Sequence, residues 1–193
     1  MPFILHRLWE QPAPDPRAHA FLASLGSERS AGDSEAWVPG EIATLREAIA
    51  ADVPVLGLCF GGQALSLALG GGLEVLPVAE IGWLAVHGED EGIPSGPWLQ
   101  YHFDLMQVPP GGRELARSPA GVAAFRHGRH LGLQFHPEAD AAILANWART
   151  DPKLPATGIT PEQLDAQSAV HADDALAHAF ALFDHWRETS LKS

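Results

Sequence analysis

The stretch Val53-Pro-Val-Leu-Gly-Leu-Cys59-Phe-Gly-Gly-Gln63-Ala-Leu-Ser-Leu-Ala-Leu-Gly70 decides how the rest of the chain is read. An apolar run short enough for a buried strand, 53–58, stops at a cysteine, passes two glycines and enters an apolar pattern with helical spacing. Strand, sharp turn and helix in that order make a nucleophile elbow. The side chain at the turn is pushed clear of the backbone, and the glycines remove Cβ atoms that would block a neighbouring chain or a substrate. The helix that follows offers unpaired N–H groups and the positive end of its dipole to the sulfur, and both favour thiolate over thiol. Cys59 is therefore a candidate nucleophile. The competing reading is a small buried side chain at a tight turn.

Upstream of the elbow, helical spacing from about Val38 to Ala51 places Ile42, Leu45 and Ile49 on one face. A short apolar run, 20–25, ends at Gly26, and residues 3–9 read as a further strand halted by the proline-rich Gln11-Pro-Ala-Pro-Asp-Pro16. This alternation of strand, loop, helix and strand predicts a parallel sheet covered by helices. Downstream, Gly70-Gly-Gly72 closes the helix and the period changes to two. Strands are predicted at 73–78, 81–86, 98–107, 122–126 and 129–135, with an acidic, glycine-containing loop from Gly88 to Gly96. Such consecutive strands point to an antiparallel extension. Asp140 to Arg149 reads as a short helix.

Thr160-Pro161-Glu162-Gln163 supplies an N-cap, a proline at the first helical position and a capping-box glutamine, so one long helix covers 160–188. Leu176, Phe180, Phe183 and Trp186 are assigned to its core face. His171, His178 and His185 recur every seven residues, a spacing that suits a solvated or packing stripe rather than a metal site built on i, i+3 or i, i+4 pairs.

The chain of 193 residues suits a single domain over 1–193, and its 46% apolar content excludes general disorder. A formal charge of −12, with twelve Lys and Arg in all, argues against a nucleic-acid partner. One cysteine permits no internal disulfide and fits a reducing compartment. The apolar Pro-Phe-Ile-Leu at the start is broken by His6 and Arg7, and no run is long enough to span a bilayer. The expectation is a cytoplasmic protein with neither a membrane nor a nucleic-acid partner.

A cysteine nucleophile needs a base, and the base needs a group to orient it. Among ten histidines, His136 in Gln134-Phe-His136-Pro-Glu138 meets both needs. It ends a buried-strand pattern, at the edge where a parallel sheet places its ligands. The i, i+2 spacing projects His136 and Glu138 the same way, and Pro137 limits their relative motion. A carboxylate on one ring nitrogen fixes the tautomer and supports the imidazolium formed when the thiol loses its proton.

Gly57-Leu-Cys59-Phe-Gly61-Gly-Gln63 followed by Gln134-Phe-His136-Pro-Glu138 resembles the class I glutamine amidotransferases, among them the amidotransferase part of GMP synthetase. The similarity runs from about Leu22 to Glu138. It implies a flavodoxin-like α/β fold, a mostly parallel sheet flanked by helices with a small antiparallel extension. It also implies a triad of Cys59, His136 and Glu138. Cys59 attacks the side-chain amide carbonyl of glutamine, His136 protonates the departing ammonia, and water hydrolyses the thioester, with no metal and no cofactor. Gln63 contacts the substrate, and the backbone N–H of Phe60 serves the oxyanion, a kind of donor worth about 3 kcal/mol.

Three departures from the family pattern accompany the match. A Gly-Gly-Pro-type loop supplies the second oxyanion donor in the family. Here that stretch is Leu25-Gly26-Ser27-Glu28, which puts Gly26 and Ser27 at the position and requires backbone angles open to a non-glycine residue. Trp98-Leu-Gln-Tyr101-His102-Phe103-Asp104 resembles a Ser-His-Gly-Asp segment whose backbone holds the α-groups of glutamine, so Tyr101 and His102 are assigned to substrate binding. Tyr101 and Phe103 replace small residues. The competing reading of His102 and Asp104 is a hydrogen-bonded pair that anchors a loop. Finally, family members open with a strand and helix that precede residues 3–9, which predicts an N-terminally truncated chain with a gap inside its sheet, the alternative being a sheet that closes up over the gap.

Three functions remain open at this point. The first is a glutamine-hydrolysing enzyme serving a separate synthetase or acceptor subunit docked over the elbow and residues 88–104. The second is a thiol hydrolase of another γ-glutamyl amide. The third is a non-catalytic binding or regulatory protein.

Overall fold

The computed structural model describes residues 3–89 and 92–191. The elbow strand, β2 (Val55–Leu58), is buried along its whole length, as an apolar run with no polar face must be. It lies between β1 (Leu22–Ser24) and β7 (His130–Leu133) and is parallel to both. From β7 the sheet continues antiparallel through β6 (Val122–His127), β5 (Arg113–Arg117), β3 (Leu73–Gly88) and β4 (Gly96–Met106). The order among the described residues is β1-β2-β7-β6-β5-β3-β4.

Helices α1 (Trp37–Ala50) and α2 (Phe60–Ala68) cover one face, where Val38, Leu45, Ala64 and Leu65 close over Val55 and Phe125. On the other face, α4 (Pro161–Ser190) sets Ala179, Leu182 and Trp186 against Leu56, Leu131 and Leu133. A third cluster joins α3 (Ala141–Thr150) and the start of α4 to Ile81, Trp83 and Leu99 of the β3–β4 ribbon. Gly61 makes the elbow possible, because a Cβ there would run into the Ser24 carbonyl, a backbone group that cannot swing aside.

The expected capping box at Thr160 is present, with Gln163 N–H donating to the Thr160 hydroxyl at 3.3 Å and Thr160 N–H donating to Gln163 Oε1 at 2.8 Å. The face of α4 differs from the sequence reading. Its core side is Leu164, Ser168, Ala175, Ala179, Leu182 and Trp186, with Phe183 half-buried, whereas Leu176 and Phe180 are 52% and 65% exposed. Alanines 175 and 179 let the helix lie close to the sheet. The indole N–H of Trp83 donates to Ser168 Oγ at 3.0 Å, which fixes the helix in that rotation.

Residues 3–9 form no strand. They touch the domain through side chains, Phe3 on Phe21 and Trp9 on Trp37, and find no partner for a backbone ladder. The expected gap inside the sheet is likewise absent, because β1 pairs directly with β2 and ends the sheet among the described residues. The runs 73–78 and 81–86 form one strand, with a shift in register between Val75 and Glu80. β5 escaped the sequence reading because only Leu115 and Ala116 of its five residues are fully buried. Positions 90 and 91 of the acidic loop lie outside the described residues.

The rotation of α4 makes a direct prediction for urea unfolding. Leu182→Ala should cost about 2–5 kcal/mol, while Phe180→Ser should change stability by no more than about 0.5 kcal/mol. The opposite ranking would overturn the assigned face.

Candidate active site

Cys59 occupies the turn between β2 and α2 at φ 50°, ψ −107°. A non-glycine residue in this region costs about 1–3 kcal/mol and persists only where its surroundings impose it. Here its N–H donates to the Leu133 carbonyl at 2.8 Å, and its own carbonyl accepts from Gln63 N–H at 3.0 Å. The strand on one side and the first turn of α2 on the other therefore hold the sulfur at the head of the helix. Phe60 begins α2, where N–H groups lack intrahelical acceptors, and its ring is buried against Trp37.

Around Sγ stand a carbonyl, an amide and an imidazole. The Tyr101 carbonyl lies 4.0 Å away and the Gln134 amide nitrogen 3.9 Å away. Gln134 Oε1 accepts from Met106 N–H at 3.1 Å, which turns its NH2 toward the sulfur. The backbone N–H of His136 donates to the Leu99 carbonyl at 2.8 Å, anchoring the residue just beyond β7. Its Nδ1 is 2.7 Å from Glu138 Oε1, so Nε2 is the ring nitrogen left for the sulfur. The imidazole is buried and meets the Trp147 indole edge to face, with centroids 4.9 Å apart.

Burial alone would pull the His136 pKa down. The charge and hydrogen bond of Cys59, followed by those of Glu138, outweigh it and raise the pKa from 6.5 to about 10. The raised pKa favours the protonated ring, whose Nδ1–H faces Glu138.

Gly26 touches both partners. A Cβ added there would stand 3.0 Å from His136 Cε1 and 3.9 Å from Cys59 Cβ. Ser27 is exposed, and its hydroxyl accepts from Arg29 N–H at 3.1 Å within its own loop. The loop leaves β1 at Ser24, whose hydroxyl donates to Glu41 Oε1 at 2.5 Å. Burial raises the Glu41 pKa, and the Ser24 bond offsets part of that rise.

The three side chains expected to meet substrate are engaged with protein groups. Gln63 donates through Nε2 to the Asp104 carbonyl at 2.9 Å, tying α2 to β4. The Tyr101 hydroxyl turns away to donate to Asp151 Oδ2 at 2.9 Å, so this residue presents its carbonyl to the sulfur. The His102 ring is buried, with Nδ1 3.0 Å from the Asp104 carbonyl and Nε2 3.1 Å from both Gln100 Oε1 and Glu80 Oε2. Burial would raise the Glu80 pKa, but hydrogen bonds from His102, Ser118 and the Ala120 N–H lower it overall. His102 and Asp104 thus meet through a ring nitrogen and a carbonyl, within a network that secures the bulged β3–β4 ribbon. The groups that sequence reasoning missed are Gln134 and Trp147. Gln134 stands two residues before His136, and that spacing alone signals a shared face.

The chain has counterparts among known proteins. The family model for glutamine amidotransferase class-I matches residues 28–144. This chain belongs to the class I glutamine amidotransferase family. It is 32% identical over 140 residues to the glutamine-hydrolyzing GMP synthase of Parafrankia sp. (strain EAN1pec), covering 67% of this chain and 26% of that one. Against the same enzyme of Aeropyrum pernix the identity is 32% over 148 residues, covering 69% and 29%. The chain thus spans under a third of the length of these relatives. A solved glutamine amido transferase from Methylobacillus flagellatus superposes with a TM-score of 0.86 at 27% identity, covering 100% of this chain and 86% of that one. A glutamine amidotransferase from Thermotoga maritima has a TM-score of 0.77 at 22% identity, over 89% and 78%, and shares the flavodoxin-like fold.

Because folding raises the His136 pKa, through Cys59 first and Glu138 second, these pairings stabilise the fold fully below about pH 6.5 and cease to do so as pH climbs through about 10, with Glu138 carrying part of the effect. Glu138→Gln should therefore lower stability by about 1–3 kcal/mol below pH 6.5, with the deficit shrinking toward pH 10. Urea titrations of both proteins across that range measure it, and a deficit independent of pH would contradict the pairing.

Proposed function

We propose that this chain acts as one domain that hydrolyses the side-chain amide of glutamine and releases ammonia. The observation that carries the reading is the meeting of three groups at the elbow. Cys59 sits at a positive-φ elbow, the His136 imidazole stands beside it, and Glu138 is 2.7 Å from ring nitrogen Nδ1. Nucleophile, base and orienter in that relation suit acyl transfer through a thiol.

In the proposed cycle, the Cys59 sulfur attacks the amide carbonyl while the imidazolium of His136 gives its Nε2 proton to the departing nitrogen. Ammonia leaves and a γ-glutamyl thioester remains on Cys59. His136, now neutral, takes a proton from water, whose oxygen attacks the thioester to free glutamate and the sulfur. Glu138 supports each imidazolium stage. The oxyanion is assigned to the N–H of Phe60 and to the Gly26-Ser27 backbone, and Gly26 is favoured because a Cβ added there would lie 3.0 Å from His136 Cε1 and 3.9 Å from Cys59 Cβ. Gln63 acts by fixing the Asp104 carbonyl on β4, and Tyr101 lends its carbonyl beside the sulfur.

The alternative of another γ-glutamyl amide rests on the bulk of Tyr101 and Phe103, and both side chains pack into the cluster beneath α3. Glutamine is accordingly the preferred substrate. The relatives at 32% identity are glutamine-hydrolyzing GMP synthases, which supports a synthetase as the ammonia acceptor, here proposed as a separate synthetase or acceptor subunit docked over the elbow and residues 88–104. The lone free cysteine suits the reducing cytoplasm.

Ammonia release from glutamine tests the reading. Cys59→Ala should reduce it by at least about a thousandfold. Gly26→Ala should cut kcat about tenfold or more, because the added methyl displaces the imidazole. Equal release by wild type and Cys59→Ala would favour the non-catalytic alternative.

A further inference from the structure

Resting on the triad reading above, we propose that Trp147 is a positioning residue for His136. Its indole, braced by Tyr101 and Asp151, holds the imidazole plane against Gly26 so that both ring nitrogens stay aligned at once.

The argument begins with torsional freedom. The χ2 torsion of histidine is a broad, soft rotation, so a bond to one ring nitrogen does not fix the ring plane. Glu138 holds Nδ1 at 2.7 Å, but the ring can still tilt and carry Nε2 off the sulfur. Two further surfaces remove that freedom. Gly26 lies beyond the Cε1 edge, where an added Cβ would stand 3.0 Å from that atom, so the ring has little room to swing that way. Trp147 meets the ring at 65° with centroids 4.9 Å apart, close enough for an indole to attract an imidazolium.

Trp147 is itself held in place. It lies on α3, whose start is fixed by Asp140 accepting from Ile143 N–H at 2.8 Å, with Leu144 and Ala148 buried on the inner side. The Trp147 carbonyl accepts from Asp151 N–H at 2.9 Å. Asp151 then takes the Tyr101 hydroxyl on Oδ2 at 2.9 Å and the Lys153 N–H on Oδ1 at 2.8 Å. Tyr101 packs edge-on against the indole, with centroids 5.8 Å apart. Burial, then the Asp151 carboxylate, push the Tyr101 phenol far above its usual range, so it remains a donor in this brace. The residue whose carbonyl faces Cys59 Sγ therefore also props the indole that orients the base.

The test compares Trp147→Phe, which keeps a flat ring, with Trp147→Leu, which fills space without one. Trp147→Leu should lose about tenfold to a hundredfold in kcat for ammonia release, with KM within about twofold, and Trp147→Phe should stay within about threefold of wild type. Alkylation of Cys59 by iodoacetamide, followed against pH, supplies a readout that needs no glutamine turnover. Its half-maximal pH should rise in Trp147→Leu and hold in Trp147→Phe. Equal impairment of the two variants, or a Leu variant matching wild type in kcat and in alkylation profile, would overturn the proposal. If wild type releases no ammonia, the glutaminase reading fails and the alkylation profile alone decides the role of Trp147.

Discussion

A positive φ at Cys59 is the constraint on which the other features depend. An L residue avoids that conformation, and it survives here because the backbone on either side is already committed. β2 is buried between two parallel neighbours, the Cys59 N–H is taken by Leu133, and Gly61 lets α2 close onto the end of β1. Each of these fixes the turn from a different element. The sulfur is consequently placed by the sheet as a whole rather than by a flexible loop, which is how an elbow keeps a nucleophile in position without substrate.

The second requirement is electrostatic. A charged imidazole loses hydration when buried, and the His136 pKa is raised in spite of burial because Cys59, and after it Glu138, favour the protonated ring. Such a pair is effective when its geometry is held from all sides. Gly26, the Leu99 carbonyl, Trp147 and the Gln134 amide come from four different segments and converge on these few atoms. The buried group of Glu80, His102, Gln100 and Ser118 serves the same end at one remove. It secures the β3–β4 ribbon whose Tyr101 carbonyl and Leu99 carbonyl face the site.

What could be read from the sequence was local. The elbow, the His-Pro-Glu turn and the capping box at Thr160 each lie within a few residues, and each specifies its own backbone geometry. The family resemblance carried the fold for the same reason, since it rests on two short motifs and their order. Features set by distant packing were hidden. α4 is rich in alanine, so its apolar phase is ambiguous, and the choice of Ala175 and Ala179 over Leu176 and Phe180 is made by Ser168 meeting Trp83. Residues 3–9 have strand-like composition but pair with no strand among the described residues. Trp147 stands eleven residues beyond His136 on another element, and nothing in the sequence connects the two before α3 folds back over the site.

The central claim is that Cys59, activated by His136, is the atom that attacks a glutamine-shaped amide. The most direct measurement is labelling by a γ-chloroketone analogue of glutamine, with the labelled peptide identified by mass spectrometry. Because the chain has one cysteine, the stoichiometry is unambiguous. The account predicts one equivalent on Cys59, slowed by excess glutamine. Labelling at another residue, or a Cys59 that reacts with simple alkylating agents yet ignores the glutamine analogue, would contradict it.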